Sequence, residues 1–199
     1  MNWYKKAQFE DQEDYSLYPE KEYARLIGLD PESLTHMGQG DNGEAFDAGN
    51  GKVIKVTSSS SEVEIAKQLL GKYGAHATIY DVKQVGSSFV IYQEMLKMDS
   101  DIEYKYYQLE ELLNQQGLPI QYIGNFDEDE LGPADKIIYN ELSDFIIGIE
   151  NINREYRILG IEASDVRPEN MGYDAQGNLK AFDLDDKAKG RGMWYNELV

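Results

Sequence analysis

Short apolar segments broken by glycines fill the first half of the chain. Asn50-Gly51 is a strong two-residue hairpin signal, and it lies between Ala45-Phe46 and the apolar run at residues 53–56. Residues 78–85 and 88–96 also have the composition of strands. The pattern predicts antiparallel strands in this half of the protein.

Helical signals follow and interrupt these strands. Several serines offer N-caps before residues 62–70, which end at Gly71 as a helix should. A second amphipathic segment around residues 106–113 is stopped by Gly117. A weaker periodicity over residues 18–28 predicts an amino-terminal helix packed on the body of the protein.

The longest helical pattern begins after Pro133 and delivers the chain to Asp165. Ile137 and Ile146 widen an apolar stripe whose members alternate steps of four and three: Ile138, Leu142, Phe145, Ile149, Ile152, Tyr156 and Leu159. A coiled coil is the alternative. The widened stripe and the interruption at Gly148 favour one long helix buried against a domain core.

Two short segments near the end of the chain predict a further hairpin. Residues 171–173 and 179–182 are separated by the turn sequence of residues 174–178. We expect this hairpin to place Asp183 beside the loop that contains Asp165.

Composition restricts the classes of function. With 41% hydrophobic residues, the chain of 199 residues is globular, and no apolar run is long enough to cross a bilayer. A formal net charge of −18 disfavours nucleic acids and anionic membranes as partners, because both require clustered Lys and Arg. The first residues lack the apolar core of a signal peptide, so we expect a cytoplasmic protein.

The available ligands restrict metal chemistry. The sequence has no Cys, which excludes disulfides, thiol catalysis and Cys-based zinc sites. Only His36 and His76 supply imidazole nitrogens. We therefore expect any metal ion to be held by oxygen.

Gly38-Gln-Gly40-Asp-Asn-Gly43 fits the pattern G-x-G-x-x-G. Dinucleotide-binding folds open a helix at these glycines, whereas here Glu44-Ala-Phe46 leads to a hairpin turn and another strand. An ordinary glycine turn is the alternative. No G-x-x-x-x-G-K-[ST] sequence is present, which excludes a P-loop.

Lys55 lies between apolar neighbours on the strand that follows the glycines. It is either a solvent-facing strand lysine or a cation directed at a ligand. The next helix offers two carboxylates, Glu62 and Glu64. Glu62 shares its face with apolar residues while Glu64 lies among polar ones, so we predict that Glu62 points toward Lys55.

The segment Asp165-Val-Arg-Pro-Glu-Asn170, followed by Phe182-Asp183-Leu184, contains a carboxylate that can act as a base and oxygen groups that can hold Mg²⁺. By itself this segment could be an acidic turn. Together with the glycine pattern and Lys55, in this order along the chain, it resembles the catalytic machinery of the protein-kinase superfamily.

The resemblance implies an ATP-binding site. The three glycines would let backbone amides approach the phosphates, and Lys55, paired with Glu62, would hold the α and β phosphates. The segment from Val90 to Leu96 resembles the strand and hinge beside the adenine, with the Glu94 carbonyl and the Leu96 amide as base contacts. A buried strand is the alternative for that segment.

The resemblance also implies catalytic roles. Asp165 would orient the acceptor hydroxyl and take its proton, and Arg167 would neutralise charge on the transferred phosphoryl group. Asn170 and Asp183 would hold Mg²⁺ against the triphosphate.

The fold implied is α+β and bilobal, like that of protein kinases. Residues 1–30 would be an amino-terminal extension, and residues 31–97 a small antiparallel β lobe with one helix. Residues 98–199 would form a minimal, mainly helical lobe that carries the catalytic loop.

The sequence departs from the protein-kinase pattern in three respects. Ala163-Ser164 stands where His-Arg usually precedes the catalytic Asp, and Asp183-Leu184-Asp185 replaces Asp-Phe-Gly. No Ala-Pro-Glu motif follows Asp183. We therefore expect no full activation segment and no regulation by its phosphorylation.

The first functional hypothesis is an ATP-dependent phosphotransferase that uses Mg²⁺ and acts on a hydroxyl of protein Ser or Thr. A small-molecule kinase of the aminoglycoside or choline type is the second. A non-catalytic ATP-binding pseudokinase or scaffold is the third, and the acceptor is left open.

Overall fold

A computed structural model of the chain describes residues 18–40, 43–160 and 166–182. Within these ranges the fold is α+β, with a five-stranded antiparallel sheet, a two-stranded hairpin and several helices. In the same ranges, no helix is both long enough and apolar enough to cross a bilayer.

The five-stranded sheet has the spatial order β1-β2-β3-β5-β4. Its strands are β1 (Thr35–Gln39), β2 (Gly43–Asp47), β3 (Lys52–Thr57), β4 (Ile79–Val85) and β5 (Ser88–Glu94). The predicted turn between β2 and β3 is confirmed, since Asn50 and Gly51 have φ of 53° and 69°. Gly49 also has positive φ, and four residues, 48–51, make the connection that we expected from two.

Helix α2 (Ser60–Leu69) covers one face of this sheet. It begins as predicted at a serine, because the Ser59 hydroxyl accepts a hydrogen bond from the Glu62 N–H at 3.3 Å. Ile65 of this helix belongs to the same apolar cluster as Ile91 of β5. Gly71, with φ of 71°, follows the last turn.

Helix α1 (Pro19–Leu26) packs on the opposite face, where Tyr23 joins Ile54 and Val90 in a second cluster. Adjacent strand residues point to opposite faces, which is why Val90 meets α1 while Ile91 meets α2. The Tyr23 hydroxyl donates to Asp81 Oδ2 at 2.7 Å. Burial, with this carboxylate, raises the pKa of Tyr23. The predicted amino-terminal helix is therefore present and sealed against the sheet.

The second half of the described chain is mainly helical. Helix α3 (Ser100–Gln115) precedes α4 (Pro133–Glu141) and α5 (Ser143–Leu159). The prediction of one long helix after Pro133 was wrong, because the backbone breaks at Leu142, where φ is −90° and ψ is 0°. The Leu142 carbonyl still accepts from the Ile146 N–H at 2.8 Å. The apolar stripe continues through the break. The spacing of apolar residues in the sequence reveals such a stripe, but it does not reveal a local change in the backbone dihedral angles.

The predicted hairpin is formed by β6 (Met171–Tyr173) and β7 (Leu179–Ala181). The backbone of this hairpin is hydrogen-bonded to segments that flank the five-stranded sheet. The Ala77 N–H donates to the Ala181 carbonyl at 2.7 Å, and the Lys97 N–H donates to the Tyr173 carbonyl at 2.8 Å. These bonds fix the hairpin against the segments that flank the five-stranded sheet.

Gly148 explains how the hairpin approaches α5. A Cβ at this position would lie 2.7 Å from the Leu179 Cβ, a distance at which one of the two would have to move. Gly148, which interrupts the apolar stripe in the sequence, is thus the position where β7 packs on α5.

Candidate functional site

A cavity of about 630 Å³ lies between the sheet and the residues around β6 and β7. It is lined by every predicted site residue that falls within the described ranges: Gly38, Gly40, Gly43, Lys55, Glu62, Glu94, Leu96, Arg167 and Asn170. Asp165 and Asp183 lie outside the described residues. The structure therefore brings together residues that are far apart in the sequence.

Lys55 and Glu62 form an ion pair at the inner wall of the cavity. Lys55 Nζ lies 2.5 Å from Glu62 Oε1, and the two side chains are 17% and 4% exposed. Glu64 is exposed on the other side of α2. Glu62 is therefore the residue that points inward, as predicted.

The glycines of the G-x-G-x-x-G segment have different surroundings. A Cβ at Gly38 or Gly40 would meet no atom of the described residues within 4 Å, so among these residues both positions face open space. A Cβ at Gly43 would collide with the carbonyl oxygen of Val56 on β3. Gly43 is needed for the pairing of two strands, whereas Gly38 and Gly40 leave room for a ligand.

This difference gives a direct prediction. Gly43→Ala should lower the free energy of unfolding by about 1–3 kcal/mol, the usual cost of overpacking. Gly40→Ala is the matched control and should stay within about 0.5 kcal/mol of the wild type. Urea unfolding followed by circular dichroism measures both. Equal stability of the two variants would show that Gly43 is not packed against β3.

The segment after β5 presents backbone groups to the cavity. The Met95 N–H donates to the Gly51 carbonyl at 2.9 Å, and the Lys97 N–H is bound to Tyr173. Between them, the Leu96 N–H has no acceptor among the residues that the structure describes.

The Glu94 side chain has a structural role that the sequence did not reveal. Glu94 Oε2 accepts hydrogen bonds from the Thr78 N–H and hydroxyl, both at 3.0 Å, and from Lys180 Nζ at 2.9 Å. Lys180 also lies 3.2 Å from Asp174 Oδ2. This cluster of Glu94, Lys180 and Asp174 joins the end of β5 to the β6–β7 hairpin.

The cluster is ionised at neutral pH. Burial raises the pKa of Glu94, but the hydrogen bonds from Lys180 and Thr78 outweigh it, so the pKa lies below its usual value. Burial likewise raises the pKa of Asp174, and its bonds to Asn178 and Lys180 leave it lowered. Burial lowers the pKa of Lys180, but the hydrogen bonds and charges of Glu94 and Asp174 outweigh it, so the pKa lies above its usual value.

The residues next to Asp165 and Asp183 are held by hydrogen bonds. The buried Tyr106 hydroxyl donates to the carbonyl of Val166 at 3.0 Å. The Phe182 N–H donates to the carbonyl of Asn170 at 3.0 Å. Asn170 is therefore a neighbour of Phe182, the residue that precedes Asp183 in the sequence.

Arg167 lines the mouth of the cavity and is half exposed. Its Nη1 lies 3.8 Å from Glu169 Oε1, a pair that solvent screens and that contributes little to stability.

Gln93 is a cavity residue that the sequence reasoning missed. It lines the cavity beside Glu94 and is only 5% exposed. The signal was a polar residue within the apolar run of β5, at the alternate position that shares a face with Ile91.

No protein-family model matches the chain, and no curated protein sequence matches it significantly. What the site can do therefore follows from its own geometry and chemistry. Within residues 18–40, 43–160 and 166–182, no group of three His, Asp or Glu side chains converges on a metal position. The Asn170 oxygen is the predicted metal ligand that falls in these ranges.

Proposed function

We propose that the protein is a bilobal, kinase-like phosphotransferase that binds ATP with Mg²⁺ in this cavity. The observation that carries the proposal is the Lys55–Glu62 ion pair, which holds an ammonium group at a cavity wall. The open glycines Gly38 and Gly40 lie on the same cavity, as does Asn170. A fixed cation, backbone amides and an oxygen ligand are the groups that a triphosphate requires.

Each residue then has a defined task. Lys55, oriented by Glu62, neutralises the α and β phosphates, and the amides around Gly38 and Gly40 approach the phosphate oxygens. Asn170 and Asp183 would hold Mg²⁺, which neutralises charge on the phosphates when bound. The Leu96 N–H and the Glu94 carbonyl receive the adenine edge.

The chemical step moves one phosphoryl group. Asp165 takes the proton of the acceptor hydroxyl while the oxygen of that hydroxyl bonds to the γ-phosphorus. The bond from the γ-phosphorus to the β,γ-bridging oxygen breaks. ADP leaves with the bridging oxygen. Arg167 stabilises negative charge on the transferred group.

The acceptor that we propose first is a Ser or Thr hydroxyl of a protein, in the cytoplasm where ATP and Mg²⁺ are abundant. Labelled ATP offered with basic proteins and, separately, with a panel of amino alcohols distinguishes this acceptor from a small molecule. Transfer to the amino alcohols alone would assign the protein to small-molecule kinases.

Nucleotide binding itself is tested by thermal unfolding with ATP, in the presence and absence of Mg²⁺. At an ATP concentration 100 times Kd, we expect stabilisation by about 2.7 kcal/mol. Lys83→Met, on the exposed side of β4, is the control and should respond like the wild type. No shift in either condition would contradict the proposal, and binding without turnover would indicate a non-catalytic protein.

A further inference from the structure

A buried tyrosine of α3 is bonded to the segment that carries Arg167 and Asn170. The Tyr106 hydroxyl donates to the Val166 carbonyl at 3.0 Å, across 60 positions of the sequence. Tyr106 is 8% exposed and Val166 is 2% exposed, so water has little access to this bond. Burial raises the pKa of Tyr106 to about 12, and the hydroxyl is therefore a protonated donor at neutral pH.

The ring and the hydroxyl of Tyr106 have separate tasks. The ring belongs to the buried stripe of α3, together with Ile102, Leu109 and Leu113, and joins the larger apolar cluster. A phenylalanine ring would fill the same space. The hydroxyl adds a donor for a buried backbone carbonyl, a group that is costly to leave unpaired. What the hydroxyl contributes is therefore a fixed position for the backbone at Val166.

The bonded carbonyl belongs to the peptide unit that joins Val166 to Arg167. Because a peptide unit is planar, a hydrogen bond to its oxygen restricts the direction in which the next residue leaves. Two backbone bonds continue from there. The Asn170 N–H donates to the Arg167 carbonyl, and the Phe182 N–H donates to the Asn170 carbonyl, both at 3.0 Å. Residues 166–170 are thus bonded to α3 at one end and to the residue after β7 at the other.

The segment held in this way carries groups of the proposed mechanism. Arg167 and Asn170 line the cavity, whereas Tyr106, also a described residue, does not. Arg167 is proposed to stabilise the transferred phosphoryl group and Asn170 to hold Mg²⁺. Asp165, the proposed base, directly precedes Val166 in the sequence. Since misplacing catalytic groups by about 1 Å can lower a rate about 100-fold, a bond that restricts this backbone bears on turnover.

We propose that Tyr106 is a positioning residue for phosphoryl transfer. It contacts no reacting group and acts through the backbone of Val166. Its hydroxyl keeps residues 166–170 in the arrangement that the chemical step requires. Nucleotide binding through Lys55 and the open glycines does not depend on this bond. The inference rests on the proposed function.

The experiment compares Tyr106→Phe with the wild type, because this variant keeps the buried ring and removes the hydroxyl alone. We expect kcat for phosphoryl transfer to fall by about 10- to 100-fold. KM for ATP should stay within about twofold, since an interaction that matters only in the chemical step changes kcat. Both constants come from titrations of labelled ATP, at a saturating concentration of the acceptor that the screen of basic proteins and amino alcohols identifies.

Two controls on α3 separate position from stability. Tyr107→Phe removes a hydroxyl from the neighbouring residue, which is 54% exposed, and should leave kcat unchanged. Ile102→Val opens a small cavity at a 2% exposed position of the same helix, so it lowers stability without removing a hydrogen bond. Urea unfolding measures the stability of all three variants. We expect Ile102→Val to keep its kcat, which would show that a weaker fold alone does not slow the reaction.

Hydrogen exchange followed by NMR reads the effect of the bond without turnover. In Tyr106→Phe, the amides of Asn170 and Phe182 should exchange about 5- to 100-fold faster, the range expected when a buried carbonyl loses its donor. Amides of β3 should keep their wild-type rates. Tyr107→Phe should exchange like the wild type at all of these positions.

The outcomes separate the two proposals. If the wild type transfers phosphoryl groups and Tyr106→Phe keeps its kcat, the positioning role is overturned and the proposed function stands. The same holds if Ile102→Val lowers kcat as much as Tyr106→Phe does. If the wild type transfers to no acceptor, the proposed function fails, and the role of Tyr106 in turnover fails with it. The exchange rates then still decide whether the hydroxyl holds residues 166–170.

Discussion

Lys55→Met should lower the free energy of unfolding by about 3 kcal/mol, at the lower end of the range for breaking a buried ion pair. The reason is that Glu62, whose side chain is 4% exposed, loses the ammonium group 2.5 Å away. Urea unfolding at neutral pH measures the change. Lys83→Met is the matched control and should stay within about 0.5 kcal/mol of the wild type.

A double variant separates stability from function. Lys55→Met combined with Glu62→Gln removes both charges and should recover most of the lost stability, since no uncompensated charge stays buried. It should not recover the stabilisation by ATP, because the cation for the phosphates is absent. Full ATP stabilisation of the double variant would exclude Lys55 from nucleotide binding.

Local sequence signals predicted most of the secondary structure because each depends on neighbouring residues. The serine before α2, the glycine after it and the positive-φ turn at Asn50 and Gly51 occur where the sequence placed them. The choice of Glu62 over Glu64 also needed only the geometry of one helix. The break at Leu142 was missed because the apolar stripe passes through it.

The tertiary partners of polar residues could not be predicted in this way. Lys180 is an ordinary strand lysine in the sequence, and its bond to Glu94 joins residues 86 positions apart. The His76 Nδ1 bond to Glu155 at 2.6 Å likewise spans 79 positions. Such pairs depend on how the hairpin and α5 pack against the sheet, which no local pattern encodes.

The predicted site residues were found from a resemblance in motif order, and the structure adds how they are held. The sheet supplies Lys55, α2 supplies Glu62, and the bond from Phe182 to Asn170 joins two loop segments. One of these contacts is an ion pair between two largely buried side chains, and the other is a hydrogen bond between backbone groups. A site fixed in this way binds a ligand with less loss of conformational freedom.

Asp165→Ala should lower turnover by about 10²–10⁴-fold, the usual contribution of a general base. Stabilisation of the protein by ATP should survive, because other residues are proposed to bind the nucleotide. These are Lys55, Gly38 and Gly40 for the phosphates and Leu96 for the adenine. Turnover is measured as labelled phosphate transferred to the acceptor, and binding as the thermal shift with ATP and Mg²⁺.

Glu64→Ala removes the same charge from an exposed position on α2 and should leave both readouts unchanged. Asp165→Asn keeps the shape of the side chain, so a similar loss in both Asp165 variants would assign the effect to the carboxylate rather than to packing. Undiminished turnover in Asp165→Ala would remove the base from the mechanism, and the proton would then have to leave the hydroxyl by another route. Loss of ATP binding together with turnover would instead give Asp165 a role in holding the nucleotide.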